Sequence, residues 1–429
     1  MSNHFTNIIE IMIFDNLKDD LTNYQKNYSI VYSNMHRRME MSIKVLNAAG
    51  MKAHNQKRIL NELRISPKSR AEMARQIGLT RSGIGVIVDH MIDEGILMEG
   101  EFITGKVGRT SVEIQLNPDI YCIAGVNIAR DCCSIGMADF NGNIKQVAQI
   151  ELVENCKNAE DILDKIYQTL FVILKNNPCK GTLLGIGITC PGPLDVKRGK
   201  ILNPPNFLMW ENIDIVNCFR DKFKCPVFLE NNANALALAE KYFGIGGAYK
   251  NYIEIVVDTG IGGGIILDGK LYKGENGFGS DFGHTTVNVN GELCSCGNIG
   301  CVELYASITN VLKYANQIKP DLKSWKQIVD LVEQGDKDAE MILEREAKYL
   351  AATITTAMNI LDVESIIMAG DITYKGDIIN QKIEEQVNRQ FFGKSVKKIK
   401  IVPSRINTHA NILSCINLVL EHFIQSIKL

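Results

Sequence analysis

The sequence predicts a two-part α/β protein, in which a small helical domain with a short hairpin precedes a much larger part. Between residues 55 and 93, apolar stripes of helical spacing are interrupted by a tight glycine turn, and two short strands follow. From residue 118 onwards, buried apolar strands alternate with amphipathic helices, which is the pattern of an α/β domain. We therefore expect an N-terminal extension at 1–50, one domain at 51–117 and another at 118–429.

Composition excludes several classes of protein. The chain has 429 residues and a formal net charge of −2, so no overall basic field indicates nucleic acid, and any DNA binding must be local. Twelve cysteines without a paired framework favour a reducing compartment. No apolar run approaches the roughly 20 residues that span a bilayer, and the start lacks a signal-peptide pattern. We expect a cytoplasmic protein. Four methionines offer alternative starts within or next to the extension: Met35, Met39, Met41 and Met51.

The domain at 51–117 reads as a winged helix-turn-helix. Its first helix is predicted at 55–63, and its second, at 70–77, follows Ser69, a good N-cap residue. Gly78 then makes a turn, and Thr80 caps a third helix. Strands at 101–104 and 111–116 would flank a basic, glycine-rich tip at 105–109, which is typical of a wing.

This pattern predicts DNA binding by the third helix and by the wing. A recognition helix presents its N-terminal side chains to base edges, while flanking cations contact phosphates. The side chains expected at DNA are Arg70, Arg75, Thr80, Arg81, Ser82, Lys106 and Arg109. Gly83 and Gly85 weaken the third helix by about 1 kcal/mol each relative to alanine. The alternative is a small helical domain that contacts another protein.

A metal site is predicted near residue 300. His284 precedes Cys294, Cys296 and Cys301, and three thiolates with one imidazole complete a tetrahedral zinc set with no open position for water. We therefore expect a structural zinc ion. The alternative is a loop that is rich in cysteine without a metal.

The same stretch resembles the ROK family of repressors, reading frames and sugar kinases. The family pattern, Glu-x-Gly-His followed by Cys-x-Cys-Gly-x-x-Gly-Cys-x-Glu, is complete here except that Asp281 stands for the glutamate. The resemblance implies an actin-like, ribonuclease H-like fold of two lobes with a sugar cleft near 190–303. In the family the histidine binds zinc through one ring nitrogen and faces the sugar with the other side of its ring. The implied sugar contacts are Asn231, Asn232, Asp281, His284 and Glu303.

The other departures from the family pattern concern phosphoryl transfer. Asn232 replaces the aspartate that takes the proton from the sugar hydroxyl, and an amide cannot accept a proton at neutral pH. The first phosphate motif, Asp-x-Gly-Gly-Thr, reads here from Asn127 to Asp131 and has lost both glycines. Ala369 and the run 414–416 depart from the family's adenosine-side motifs. The glycine-rich turn at 258–264 is retained, and on its own it could hold phosphate or only shape a hairpin. We expect no enzyme activity.

The resemblance and the predicted DNA-binding domain together imply a sugar-responsive transcriptional regulator. We expect a repressor that binds palindromic operator half-sites as a homodimer or higher homo-oligomer and is released by a monosaccharide. The cysteine run and the altered position 232 are most similar to xylose-responsive members in Gram-positive bacteria, so xylose is the first expected effector. Two alternatives stay open: a sugar kinase with an appended DNA-binding domain, and a DNA-binding protein whose pocket is vestigial or answers to a protein.

Overall fold

The structure, a computed structural model, describes residues 48–104, 110–152, 158–176, 179–205, 207–406 and 408–427. Residues 1–47, which make up most of the expected extension, lie outside the described residues, as does the predicted wing tip at 105–109 with Lys106 and Arg109. Throughout the described ranges, no helix combines the length and the apolar character that a membrane crossing requires.

The N-terminal module consists of three helices and a small antiparallel sheet. Its elements are α1 Ala48–Ile65, β1 Lys68–Ser69, α2 Arg70–Ile77, α3 Arg81–Asp93, β2 Leu97–Thr104 and β3 Thr110–Leu116. Strand β3 pairs with β1 on one side and with β2 on the other. The three predicted helices are present, although α1 begins at Ala48, inside the segment expected to be an extension.

Side-chain caps fix the starts of α2 and α3. Ser69 Oγ accepts a hydrogen bond from the backbone N–H of Glu72 at 3.2 Å, and Thr80 Oγ1 accepts one from Gly83 at 3.1 Å. Gly78 ends α2 with a φ of +73°, a left-handed conformation that glycine adopts without strain. The turn between the two helices is therefore encoded by local sequence.

Strand β2 begins earlier than the predicted residue 101. Leu97 is buried and pairs with Leu116, but the register shifts between Glu99 and Phe102. Such an irregularity interrupts the alternation of inward and outward side chains by which a strand is recognised. The first half of β2 was hidden from the sequence pattern for this reason.

The larger part contains two five-stranded sheets. Its strands are β4 Tyr121–Ile128, β5 Cys132–Asp139, β6 Ile144–Glu151, β7 Thr182–Cys190, β8 Leu194–Asp195, β9 Lys200–Ile201, β10 Val227–Asn231, β11 Tyr252–Val257, β12 Ile261–Leu267, β13 Lys270–Tyr272, β14 Ser365–Ala369 and β15 Lys400–Pro403. The first lobe has the order β6-β5-β4-β7-β10 and the second has β13-β12-β11-β14-β15, while β8 and β9 form a separate pair.

The two sheets repeat one topology. In each, three consecutive antiparallel strands are followed by two strands parallel to the first. This repeat confirms the predicted two-lobe α/β fold of the actin-like, ribonuclease H-like type.

Helices cover and connect the lobes. They are α4 Ala159–Asn176, α5 Ile215–Phe223, α6 Asn232–Phe243, α7 Glu303–Ala306, α8 Ile308–Ile318, α9 Trp325–Glu333, α10 Lys337–Leu361, α11 Asp377–Gln390 and α12 Ala410–Ser426, with 3₁₀ turns at Leu208–Trp210, Gly246–Ala248, Phe282–His284, Asp371–Thr373 and Phe392–Ser395. Helix α6 leaves the edge of the first lobe and packs on β12 of the second. It is therefore an element shared by both lobes.

The C-terminal helix returns to the first lobe and links it to the N-terminal module. A β-carbon added at Gly187 in β7 would lie 2.0 Å from the carbonyl oxygen of Cys415, so α12 lies directly against the sheet. Ile416 and Leu420 of α12 share one apolar core with Leu60 of α1 and Ile84 of α3. Because that core is continuous, the module is seated on the first lobe.

Candidate functional site

A cleft opens where β7 and β10 of the first lobe face β12 and the 277–281 loop of the second. Its space, including the open mouth, is about 320 Å³. It is lined by Gly192, Pro193, Leu194, Val196, Glu230, Asn231, Asn234, Gly263, Gly277, Phe278, Gly279 and Asp281. Of the five predicted sugar contacts, Asn231 and Asp281 are in this lining.

Asn231 sits at the corner between β10 and α6. Its Oδ1 accepts hydrogen bonds from the backbone N–H groups of Ala233 at 2.9 Å and Asn234 at 3.4 Å, so it caps α6. A β-carbon at Gly192 would lie 3.1 Å from Asn231 Nδ2. The amide nitrogen is therefore the group left for a ligand, and Gly192 leaves the space that it needs.

Glu230, which the sequence reasoning did not single out, supports this corner. The side chain is buried, forms an ion pair with Lys273 of the second lobe, and accepts a hydrogen bond from the Asn231 backbone N–H at 3.0 Å. Asn234 Oδ1 accepts a further bond from Ser280 Oγ at 2.9 Å. Glu230 and Asn234 both belong to the sequence motif that contains Asn231 and Asn232. Their place in this motif is the feature of the sequence that could have indicated their role. The two contacts join the lobes at the cleft, whose lining includes Glu230 and Asn234.

Asn232 lies outside this lining. Its side chain contacts Asn127 and Ile128, which belong to the altered phosphate motif of the first lobe. Its Oδ1 accepts a hydrogen bond from Asn127 Nδ2 at 3.2 Å, and its own Nδ2 is 3.5 Å from the Ile128 carbonyl oxygen. Asn127 Nδ2 also donates to Thr189 Oγ1 at 2.9 Å. Two amides thus face each other at the positions where the family pattern has two carboxylates.

Glu303 supports the retained glycine-rich turn. Its Oε2 accepts a hydrogen bond from the Ile261 backbone N–H at 2.9 Å, and a β-carbon at Gly260 would lie 2.7 Å from that oxygen. Asp281 immediately precedes the 3₁₀ turn Phe282–His284, and its carboxyl group is partly buried. Burial raises the pKa of its carboxyl, while the nearby His284 acts in the opposite direction. The direct sugar contacts of all five residues, Asn231, Asn232, Asp281, His284 and Glu303, stay predictions.

The predicted metal ligands come together in the loop that follows. One ligand atom from each of His284, Cys294, Cys296 and Cys301 lies within 4.8 Å of the other three. Cys296 Sγ and Cys301 Sγ are 3.7 Å apart, as are Cys294 Sγ and His284 Nδ1. Tetrahedral bonds of about 2.3 Å would place two sulfurs about 3.8 Å apart. The four residues therefore fit a metal ion of tetrahedral preference.

The loop geometry and the local polarity support this fit. Gly297 and Gly300 have φ values of +91° and +67°, which allow the chain to fold back between the cysteines. Burial opposes ionisation of Cys294, but hydrogen bonds from the Cys296 backbone, the neighbouring thiols and His284 outweigh it and lower the pKa of the Cys294 thiol to about 7. Burial and the neighbouring Cys294 and Cys296 raise the pKa of the Cys301 thiol to about 12. Because metal ligation requires thiolates, binding of an ion would release protons from this cluster.

The surroundings of the glycine-rich turn differ from a simple phosphate cradle. A β-carbon at Gly260 would lie 3.6 Å from the Nη1 atom of Arg130, so this guanidinium reaches across from the first lobe. Asp258 accepts a hydrogen bond from the Asp371 backbone N–H at 2.6 Å. Burial raises the pKa of the Asp258 carboxyl, although that hydrogen bond opposes the rise. The space beside the turn therefore carries side chains of both signs.

The predicted DNA-contact residues differ in their surroundings. Arg75 at the end of α2 and Arg81 and Ser82 at the start of α3 are exposed, while Thr80 serves as the α3 cap. Arg70 is paired instead, at 2.7 Å from Asp89 and 3.1 Å from Glu99. A phosphate contact by Arg70 would compete with these two carboxylates. Lys106 and Arg109 lie outside the described residues.

Comparison with known proteins identifies the family. The sequence profile of the whole ROK family domain matches residues 123–422. A xylose repressor of Bacillus spizizenii is 32% identical over 381 residues, which cover 88% of this chain and 98% of that protein. A glucokinase of Thermotoga maritima is 31% identical over 314 residues, which cover 70% of this chain and 97% of that protein. The crystal structure of a ROK family transcriptional regulator, a homologue of the E. coli MLC protein, has the same fold, with a TM-score of 0.73 at 24% identity over 88% of this chain and 98% of that one. The chain belongs to the ROK family.

Proposed function

We propose that this chain is a sugar-responsive transcriptional repressor that binds operator DNA through residues 51–117 and a monosaccharide through residues 118–429. The observation that carries the proposal is the Asn127–Asn232 amide pair, in which Asn232 directly follows Asn231 of the cleft lining. An amide at position 232 can hydrogen-bond a sugar hydroxyl but cannot take its proton. The site is therefore suited to binding without phosphoryl transfer.

The N-terminal module supports the DNA-binding half of the proposal. The similarity to the xylose repressor extends over 88% of the chain, whereas the similarity to the glucokinase extends over 70%. The difference is about the size of the module from Ala48 to Leu116. In a winged helix-turn-helix, α3 would enter the major groove with Arg81 and Ser82 at base edges. Two modules in a homodimer would read two half-sites.

Xylose is the first sugar to test, and a zinc ion is the proposed metal. Zinc held by His284 Nδ1 and the three cysteines would fix the orientation of the imidazole ring and leave its Nε2 side available to the sugar. Bound there, the ion would supply structural order without an open coordination position. The neighbouring Asp281 and Asn231 amide would then orient hydroxyl groups in the cleft.

Fluorescence anisotropy on labelled DNA from the region upstream of the gene tests the proposal at fixed salt concentration. We expect specific binding that weakens when one of xylose, glucose or N-acetylglucosamine is added, because an effector shifts an equilibrium only by binding one state more tightly. The absence of specific DNA binding under every condition would refute a repressor. If none of the sugars stabilises the protein in a thermal-shift assay, the sugar site is refuted.

A second function, sugar kinase activity, is favoured by two observations. The glycine-rich turn from Asp258 to Gly264 is retained, and the similarity to the glucokinase extends over 314 residues. Sugar-dependent release of ADP from Mg-ATP would establish that function. We expect none, because no base is available at position 232.

A further inference from the structure

The first helix of the N-terminal module is held by a buried arginine. Arg64 lies near the end of α1, and its side chain is only 3% exposed. Its Nη1 donates to Glu421 Oε2 at 3.2 Å and its Nη2 donates to Asn417 Oδ1, both on α12. Its guanidinium carbon lies 3.5 Å from the ring centroid of Tyr242 on α6. We call these four residues the joint.

The joint fixes the whole module, because α1 belongs to the module's core. Ile59, Leu60 and Leu63 of α1 are buried in the same apolar cluster as Ile84 and Val88 of α3. A shift of α1 relative to the larger part would therefore carry the predicted recognition helix with it. Guanidinium is well suited to hold α1, because its planar fork can bind two acceptors and stack on an aromatic ring together.

Helix α6 connects the joint to the sugar cleft. Asn231 in the cleft lining caps its first turn, and Tyr242 lies in its last turn. A helix of this length behaves as one rigid rod of about 18 Å. The phenol of Tyr242 is 3.3 Å from Asn61 Oδ1 on α1 and 3.4 Å from Glu421 Oε2 on α12.

The second lobe holds the same helix from the other side. β-Carbons added at Gly262 and Gly264 of β12 would lie 2.9 Å and 2.4 Å from the β-carbons of Ala233 and Ala237, so strand and helix lie in close contact. Lys241 Nζ donates to the Gly269 carbonyl oxygen of the second lobe at 2.7 Å. A change in the angle between the lobes must therefore move α6 relative to α12, or break this packing.

We infer that Arg64 is the positioning residue that transmits the arrangement of the lobes to the DNA-reading module, by fastening α1 across the seam between α6 and α12. The inference rests on the proposed function and adds the route by which the sugar signal would reach DNA. A change at the cleft moves the first turn of α6, the last turn moves Tyr242, and Arg64 carries that displacement into α1. Coupling of this kind between two sites usually corresponds to about 5–150-fold in affinity.

The test uses the full chain and two mild variants, Arg64→Lys and Tyr242→Phe. Lysine keeps the charge but cannot bind Asn417 and Glu421 as a fork, and phenylalanine keeps the ring but loses the hydroxyl. Lys57→Ala is the matched control, since Lys57 Nζ joins α1 to the Gln425 carbonyl oxygen on α12 without touching α6. The readouts are sugar affinity by calorimetry, with xylose as the first probe, and DNA affinity by anisotropy with and without that sugar.

We expect the sugar to weaken DNA binding of the wild type and of Lys57→Ala by the same factor. In Arg64→Lys and Tyr242→Phe that factor should fall to less than about 3, while sugar affinity stays within about twofold of the wild type. If sugar weakens DNA binding of both variants by the same factor as in the wild type, the inference is wrong but the proposed function stands. The same holds if a loss of sugar affinity accounts for the loss of response. A wild type that binds DNA and ignores every sugar overturns the proposed function, and the inference with it.

Discussion

Asn127 Nδ2 donates a hydrogen bond to Asn232 Oδ1 across 3.2 Å, and so ties the first strand of the first lobe to the first turn of α6. Two carboxylates at this distance would repel each other unless a cation or a proton lay between them. Two amides share one hydrogen bond instead, while Asn127 Oδ1 is left without a partner among the described residues. The link between the two side chains therefore needs neither nucleotide nor magnesium.

The replacement Asn232→Asp tests whether the base alone is missing. We expect no sugar-dependent ADP release from Asn232→Asp or from the double variant with Asn127→Asp, because Ala129 and Arg130 still occupy the positions of the two phosphate-motif glycines. Sugar affinity of Asn232→Asp should stay within about tenfold, since the carboxylate can still accept a hydrogen bond. A coupled assay for ADP measures the first quantity and calorimetry the second. ADP release by the single variant would show that the phosphate site is functional.

The metal cluster is tested by Cys296→Ser, with Cys218→Ser on α5 as the control. Cys296 is the exposed member of the cluster, so its replacement leaves no large cavity. We expect bound zinc to fall from about one ion per chain to near zero, and sugar affinity to fall by about 10–100-fold as the His284 ring loses its fixed orientation. The control should keep both properties. Elemental analysis and calorimetry provide the readouts, and normal sugar affinity in the zinc-free variant would contradict the role given to the metal.

Local sequence was sufficient to predict the parts of the site that depend on nearby residues. Ser69 and Thr80 cap helices that begin beside them, and the cysteine spacing brings the metal ligands together within one loop. The strand-to-helix turn at Asn231 was predicted from the resemblance of one motif to the family. Local signals of this kind survive because each residue's partner lies within a few positions along the chain.

Contacts between distant segments were not predictable in the same way. Lys273 pairs with Glu230 from the other lobe, and Arg64 reaches Glu421 across 357 positions in the chain. A lone arginine on a helix usually indicates a solvated surface, so nothing in the local pattern distinguished Arg64. The two-lobe fold with its repeated sheets was predicted only through the family resemblance, because strand order depends on pairing and not on the pattern of a single strand.

Two exposed arginines of the N-terminal module are expected to contact DNA in different ways, Arg81 at a base edge and Arg75 at a phosphate. Arg81→Ala should weaken binding to the preferred DNA by about 1–3 kcal/mol and relax the preference at one position. Arg75→Ala should lower affinity for all sequences and reduce the salt slope by about 0.9. Anisotropy on DNA selected from a random library, repeated at several salt concentrations, measures both effects.

Arg70→Ala is the informative comparison for these variants. Because Arg70 is already paired with Asp89 and Glu99, we expect the salt slope to stay unchanged and the stability to change by less than about 1 kcal/mol. A slope reduced as much as by Arg75→Ala would show that Arg70 leaves these partners and contacts phosphate.

Because the carboxyl group of Glu254 is buried, we expect the protein to lose stability as pH rises. It lies in β11 with no exposed surface, and neither carboxyl oxygen has a hydrogen-bond partner among the described residues. Burial, with a smaller effect from the nearby Glu240, holds the pKa of this carboxyl well above its usual range. Above the pKa of the unfolded chain, the folded protein therefore keeps a proton that the unfolded chain releases. Stability falls by up to about 1.4 kcal/mol for each pH unit until the folded-state pKa is reached.

The variant Glu254→Gln removes this titration while keeping a side chain of similar size. Between pH 5 and pH 8, the free energy of unfolding should decrease more in the wild type than in Glu254→Gln, as measured by the urea midpoint at each pH. The exposed Glu364, replaced in the same way, should leave the wild-type pH dependence intact. Equal pH dependence in the wild type and Glu254→Gln would mean that the buried carboxyl ionises in the folded protein, where a cation or a hydrogen-bonding water molecule compensates its charge.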